Sequence, residues 1–138
     1  MSDKVRGLLV YSVLGAITGL VLMVLPAALR YPSHSIFVLL FKSVKNLALL
    51  DVFLLFFAGF TWGLAKGWPR GIFAAFFQVA LLPVFATIEI FKDPTSHNLW
   101  PLEFIMYGFM GGVGAFGAAL GLVLKSSKIG ARNTTAAK

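Results

Sequence analysis

The chain has 138 residues and a net charge of +7; 59% of its residues are hydrophobic, 12% are charged, and its mean hydropathy is +0.88. Soluble domains carry about 25% charged residues, so this composition excludes an ordinary water-soluble domain and predicts a membrane protein. The absence of cysteine excludes disulfides, thiolate metal sites and cysteine nucleophiles, and no basic stripe interleaved with aromatic residues indicates nucleic-acid binding.

Four stretches of the chain are long and apolar enough to cross a bilayer, whose hydrocarbon core of roughly 30 Å requires about 20 mostly apolar residues. They cover residues 7–29, 46–65, 71–91 and 102–124. The basic start of the chain is typical of a signal peptide, but the apolar run after it exceeds the usual length of about 7–15 residues, so we expect it to be retained. The pattern predicts an all-α polytopic membrane protein with four transmembrane helices in an antiparallel bundle.

The segment between the first two spans contains a shorter apolar run, IFVLLF, at residues 36–41. Pro32 ends the first helix, and a run of this length does not reach across the bilayer. We predict a short interfacial helix that lies on the external surface and leads into the second span. A re-entrant segment is the alternative, but nothing in the sequence would pair its unwound backbone.

The second and third spans are joined by the sequence KGWPR, residues 66–70. Gly67 and Pro69 both interrupt helices, and Trp68 suits the interface between lipid and water. The sequence therefore predicts a tight turn, which makes the second and third spans an antiparallel hairpin.

Basic residues flank the four spans unequally on the two sides. The side that carries both termini has Lys4, Arg6, Lys66, Arg70, Lys125, Lys128, Arg132 and Lys138, and the other side has Arg30, Lys42, Lys45 and Lys92. Because Lys and Arg collect on the cytoplasmic side, we expect both termini to be cytoplasmic, in a bacterial inner membrane. The chain is expected to form one transmembrane domain, residues 1–125, followed by a flexible basic tail, residues 126–138.

Glycines recur four residues apart on three of the spans, a spacing (GxxxG) that allows close helix packing. The pairs are Gly15 and Gly19, Gly59 and Gly63, Gly108 and Gly112, and Gly117 and Gly121. Helices in a bilayer associate through close fit, because lipid tails are as apolar as leucine side chains. We interpret the pairs as intramolecular packing positions. In the alternative interpretation, one surplus face of the fourth span docks another chain.

Ionisable residues concentrate at the external ends of the last three spans and in the loops beside them. This polar cluster comprises Asp51, Glu89, Glu103, His97, Lys92 and Lys45. An ion-paired clasp that fixes helix order is the favoured interpretation, and a proton- or cation-handling site is the alternative. A metal site formed by His97, Glu89 and Glu103, with His34, is less favoured because no zinc-binding sequence spacing supports it. We expect no bound metal or cofactor.

A polar residue and a helix-breaking residue, Gln78 and Pro83, lie in the third span. Pro83 removes one backbone hydrogen bond and is expected to kink the helix, which frees carbonyls near residue 79 for the Thr87 hydroxyl. We interpret Gln78 as a hydrogen-bonding partner of a neighbouring helix, with a narrow polar path as the alternative. Thr18 and Thr61 are interpreted in the same way.

The sequence contains no nucleophile elbow, P-loop or dinucleotide fingerprint, so we do not expect an enzyme. The favoured hypothesis is a non-catalytic accessory or assembly subunit of a larger membrane complex or homo-oligomer. Its expected partners are the lipid bilayer and other membrane chains or copies of itself. The alternative is a small ion- or proton-coupled transporter or channel that uses the outer-leaflet carboxylates. A third hypothesis is a binder of lipid, quinone or pigment in a phenylalanine-lined crevice.

Overall fold

The computed structural model describes residues 3–33, 38–39, 49–92 and 100–136, and within the helices the side chains of Glu89, Lys92, Trp100 and residues 128–136 lie outside the described part. The regular structure in this part of the chain is helical. It consists of α1 (Asp3–Arg30), α2 (Leu49–Lys66), α3 (Arg70–Phe76), a 3-10 segment (Phe77–Val79), α4 (Leu81–Lys92) and α5 (Trp100–Ala136).

Four of the described helical stretches are long and apolar enough to span a membrane, which confirms that prediction. They are Asp3–Arg30, Leu49–Lys66, Arg70–Ile88 and Pro101–Ser127. Large apolar side chains cover their outer surfaces; Leu29, for example, is 78% exposed and Ile105 is 68% exposed. In water such a surface would be an aggregation liability, whereas in a bilayer it faces lipid.

The helix ends differ in part from the predicted span ends. α1 has Asp3 in its first turn and Arg30 in its last turn, and both charges suit the helix macrodipole. α5 continues as a helix to Ala136, through the residues for which a flexible tail was predicted. The mobility of that tail stays a prediction. The predicted interfacial helix lies outside the described residues, except for Val38 and Leu39, which are helical.

A three-residue turn joins α2 to α3, as the KGWPR sequence predicts. Gly67 has a φ of 71°, a left-handed conformation that favours glycine, and the Trp68–Pro69 peptide bond is cis. The Gly67 amide donates to the Gly63 carbonyl oxygen (3.1 Å), and the Gly71 amide donates to the Gly67 carbonyl oxygen (2.7 Å). The turn therefore satisfies backbone groups at both helix ends.

The third span is interrupted between α3 and α4, where the sequence predicted a kink. Residues Phe77–Val79 form the 3-10 segment, and α4 begins at Leu81. Pro83 has no N–H to donate to the Val79 carbonyl oxygen, so the α-helical ladder cannot continue unchanged through this point. The Thr87 hydroxyl donates to the carbonyl oxygen of Pro83 itself (2.7 Å). The prediction that Thr87 would serve carbonyls near residue 79 was therefore wrong.

The third span lies between the other three. α3 packs against α1, α2 and α5, and the most extensive contact in the described part of the chain joins α2 to α5. Each outer helix buries a stripe with a four-residue repeat, such as Leu55, Gly59 and Gly63 on α2. A buried apolar cluster comprises Met23, Leu55, Val79, Leu82, Ala86, Tyr107 and Met110, with Phe104 packed against it.

Candidate functional site

α1 packs closely against the third span at two of its own glycines, Gly15 and Gly19. A Cβ atom added to Gly15 would overlap the Ala74 carbonyl group, and one added to Gly19 would overlap the Gln78 carbonyl group. Ala74 is fully buried in this contact. Because the two backbones touch directly, no side chain larger than hydrogen fits on α1 at either position.

α2 and α5 exchange equivalent contacts. Gly59 and Gly63 lie against the carbonyl groups of Gly114 and Ala118 on α5. In return, Gly117 and Gly121 lie against the carbonyl groups of Phe56 and Phe60 on α2. Each helix therefore gives a pair of glycines four residues apart to the backbone of the other. This reciprocity explains why α2 and α5 share the most extensive contact.

Within residues 101–127 of α5, the remaining glycines divide into a packed face and an open face. A Cβ added to Gly114 would lie 2.6 Å from the Ala75 carbonyl oxygen, and one added to Gly111 would lie 3.0 Å from the Phe76 carbonyl oxygen. Added Cβ atoms at Gly108 and Gly112 would meet no described atom within 4 Å. We call Gly108 and Gly112 the open glycine pair.

Gln78 is the polar residue at the centre of the packed helices and is only 1% exposed. In the amide orientation that satisfies both of its partners, Nε2 donates to the Leu55 carbonyl oxygen (3.1 Å) and Oε1 accepts from the Gly59 amide (3.3 Å). The side chain also lies 3.4 Å from the position of an added Cβ at Gly114. Gln78 thus hydrogen-bonds to α2, and its side chain lies beside α5 at Gly114.

The two threonines do not behave like Gln78. The Thr18 hydroxyl donates to the Leu14 carbonyl oxygen of its own helix (2.8 Å), and the Thr61 hydroxyl donates to that of Ala58 (2.7 Å). The prediction that they bond to neighbouring helices was wrong, since a hydroxyl on a helix can satisfy itself on the preceding turn.

The predicted polar cluster is only partly within the described residues. Asp51 is 9% exposed in the first turn of α2, and Glu103 is half-buried in the first turn of α5. Glu89 and Lys92 lie in α4, and their side chains are outside the described part, as are His97, Lys45 and His34. Among the residues that the structure describes, no group of three or more His, Cys, Asp or Glu could hold a metal ion. Convergence of the cluster stays a prediction.

A second group of polar side chains, which the sequence analysis did not single out, lies at the opposite ends of the spans. Lys66 Nζ is 5.6 Å from the centroid of the Tyr11 ring, and Arg70 Cζ is 5.8 Å from it. The Trp62 ring meets Tyr11 edge-on, with 6.3 Å between centroids. We call Tyr11, Lys66 and Arg70 the basic aromatic cluster. The flanking of the turn by two cations was visible in the sequence, but their common partner on α1 was not.

Comparisons of the chain with protein-family models, with characterised proteins and with solved structures find no match. A functional proposal must therefore come from the packed interior, the open glycine pair and the basic aromatic cluster.

Proposed function

We propose that the protein is a non-catalytic assembly subunit of the bacterial inner membrane, which associates through the open glycine pair of α5 with a second copy of itself. It thereby forms a homo-oligomer, either alone or within a larger membrane complex. The observation that carries the proposal is the contrast between Gly108 and Gly112, which meet no described atom within 4 Å, and the α5 glycines that lie against backbone.

The occupant is argued from the contacts that this chain already makes. α2 and α5 associate by exchanging glycine pairs spaced four residues apart, each pair lying on the carbonyl groups of the other helix. The open glycine pair has the same spacing, and a second copy offers an identical pair. Two such helices related by a two-fold axis are self-complementary, which is the usual geometry of a homodimer.

Contacts within the chain support an antiparallel four-helix bundle. Gly15 meets Ala74 and Gly19 meets Gln78, so α1 and the third span run in the same direction. Gly59 and Gly63 meet Gly114 and Ala118 in the same rising order, so α2 and α5 also run together. Since a short turn reverses the chain between α2 and α3, the four spans alternate in direction. This arrangement places both termini on one side, which the distribution of basic residues predicts to be cytoplasmic.

The interior of the described helices favours a structural role over transport. The amide of Gln78 is engaged by two backbone groups of α2, and Ala74 and Ala75, one turn earlier in the third span, are fully buried. A polar path needs room for water or an ion next to its polar groups, whereas these helices are in backbone contact.

Disulfide cross-linking tests the proposal directly, because the chain contains no cysteine. Gly112→Cys, oxidised in native membranes, is expected to give a covalent dimer of the chain. Met106→Cys, which is 48% exposed on the same helix but about 120° round it from Gly112, is the matched control and should stay monomeric. If position 112 cross-links only to a different protein, the proposed homo-oligomer is wrong, but the proposed assembly role stands. The absence of any cross-link would overturn both.

A pair of leucine substitutions separates assembly from folding. Gly112→Leu should abolish association in mild detergent but leave the monomer folded, because no described atom of the chain lies within 4 Å of its Cβ position. Gly114→Leu, two residues further along, should unfold the chain, since its Cβ would lie 2.6 Å from the Ala75 carbonyl oxygen. Size-exclusion chromatography and circular dichroism distinguish the two outcomes.

The burial of Asp51 favours one alternative, a small proton- or cation-coupled transporter. Asp51 is 9% exposed within a candidate span, and ionisable groups in such positions often serve transport. Asp51→Asn should then abolish flux in proteoliposomes without changing assembly. Unchanged flux in this variant would eliminate the alternative.

A further inference from the structure

Two cations and an aromatic ring from three helices meet at one end of the spans. Lys66 closes α2, Arg70 opens α3, and both side chains approach the ring of Tyr11 on α1, at 5.6 Å and 5.8 Å from its centroid. Each cation–π contact stabilises the position of its cation. Both cations therefore lie within 5.8 Å of the centre of the same ring.

α1 leaves space for this arrangement at Gly7. A Cβ atom added to Gly7 would lie 3.6 Å from Arg70 Nε and 3.7 Å from a terminal nitrogen of the same guanidinium. These are ordinary contact distances, so an alanine would fit there, whereas a longer side chain would compete with the guanidinium for the surface of α1. The guanidinium consequently lies along α1 within one helical turn of Tyr11.

The two cations outnumber the carboxylates of the described residues at this end of the helices, where Asp3 lies one turn before Gly7. Asp3 is exposed at the start of α1 and is the one described carboxylate at these helix ends. Asp51 is at the far end of α2 from Lys66, roughly 22 Å away at 1.5 Å of rise per residue. Two like charges against one ring repel each other, and an anion that contacts both cations offsets that repulsion. Arg offers a planar fork that matches phosphate oxygens, and Lys adds a point charge.

The position of the basic aromatic cluster indicates where its anion comes from. The second candidate span ends at Lys66 and the third begins at Arg70, so the cations lie at the edge of the apolar region. Trp68, in the turn between them, is 70% exposed, and Trp and Tyr are enriched at the level of the lipid headgroups. An anion at this level is supplied laterally by the bilayer, at far higher local concentration than a solute.

We propose that Tyr11, Lys66 and Arg70 form a binding site for the phosphate of an anionic phospholipid headgroup. The Arg70 guanidinium binds two phosphate oxygens, the Lys66 ammonium supplies a second charge, and the Tyr11 ring fixes both cations in place. The site is independent of the open glycine pair, which lies on a different helix.

Lipid retention measured by native mass spectrometry tests the site. The protein is reconstituted into nanodiscs of phosphatidylcholine mixed with phosphatidylglycerol, released, and compared with protein from phosphatidylcholine alone. Retention of phosphatidylglycerol is expected for the natural chain. The double variant Lys66→Gln, Arg70→Gln should bind it at least about tenfold more weakly, because two charge-assisted contacts are lost.

Matched variants distinguish a site from general attraction to a negative surface. The double variant Lys4→Gln, Lys125→Gln removes the same charge from positions outside the cluster and should weaken binding less than about threefold. Equal losses in the two double variants would overturn the proposal. A second comparison measures the rise in melting temperature that inorganic phosphate and phosphatidylglycerol each produce. An equal rise with phosphate would assign the site to a soluble anion instead.

Two further variants decide the matter if the glutamine variants do not fold. The charge-conserving double variant Lys66→Arg, Arg70→Lys should retain the lipid, and Tyr11→Leu should weaken retention while keeping every charge. Loss of the ring without any change in retention, in a chain that keeps its helical circular dichroism, would overturn the role of Tyr11 and with it the site.

Discussion

Gln78 reaches the backbone of the second span at Gly59, with its side-chain oxygen 3.3 Å from the Gly59 amide nitrogen and its side-chain nitrogen 3.1 Å from the Leu55 carbonyl oxygen. These two backbone groups are one turn apart on α2. Because Gly59 has no side chain, the amide of Gln78 can approach both. A glycine needed for close helix packing therefore also gives a polar side chain access to the neighbouring helix.

Replacing Gln78 with methionine should lower the free energy of unfolding by about 0.5–2 kcal/mol. Methionine conserves volume but cannot form hydrogen bonds to α2. The loss stays moderate because the two α2 backbone groups that Gln78 contacts can still bond to each other within the helix. Unfolding in mixed micelles measures the change. Thr61→Val, at an exposed hydroxyl that bonds only its own helix, is the control and should be nearly neutral. A larger loss in the control than in Gln78→Met would contradict the central role of the amide.

Gly19→Ala should destabilise the chain by about 1–3 kcal/mol or more, because the new Cβ would overlap the Gln78 carbonyl group. Gly108→Ala makes the same chemical change at an open position and should be neutral or slightly stabilising. Thermal melting in a detergent that keeps the chain monomeric compares the two. Similar melting temperatures for both variants would show that α1 does not approach the third span this closely.

The reciprocal contact of α2 with α5 predicts coupling between glycines on opposite helices. Gly63→Ala and Gly121→Ala each push the same two helices apart, so their combined cost should be at least about 0.5 kcal/mol smaller than the sum of the single costs. Gly15→Ala combined with Gly121→Ala affects two separate contacts and should be additive to within about 0.5 kcal/mol. Additive costs in the first pair would mean that the two glycines do not share one contact.

Cysteine labelling tests the orientation in the membrane. In spheroplasts of a bacterial host, a membrane-impermeant maleimide should label Ser33→Cys directly and Trp68→Cys only after permeabilisation, because the turn between α2 and α3 is predicted to be cytoplasmic. Both positions are exposed, so access to the reagent depends on the bilayer and not on burial. The opposite pattern would invert the orientation, and labelling of both positions without permeabilisation would remove the assignment of spans.

The sequence predicts those features that depend on local composition. The length and apolarity of four stretches were enough to predict four spans. Gly67 and Pro69 were enough to predict the turn between the second and third spans, and Pro83 was enough to predict an interruption in the third. The partners of each glycine were not predictable, because the spacing of Gly15 and Gly19 shows that a helix can be approached closely but not by which neighbour. Tyr11 gave no signal for the same reason, since its two cations belong to other helices.

The polar cluster could be predicted from the sequence only in part. Asp51 and Glu103 were identified as residues near helix starts, which is where the structure has them. Whether they meet depends on loops whose conformation is set by long-range packing, and a single sequence carries no record of that packing. The open glycine pair belongs to the same category, because GxxxG spacing on α5 occurs both where the helix is packed and where it is open.

The length of α5 has a mechanical consequence. Its 37 residues extend about 55 Å at 1.5 Å per residue, well beyond the thickness of the hydrocarbon core. A bilayer that holds Pro101–Ser127, the stretch that is apolar enough to span it, leaves the last turns of α5 outside the hydrocarbon core. A domain or tag fused after Ala136 would therefore be spaced away from the hydrocarbon core by these turns instead of lying against it.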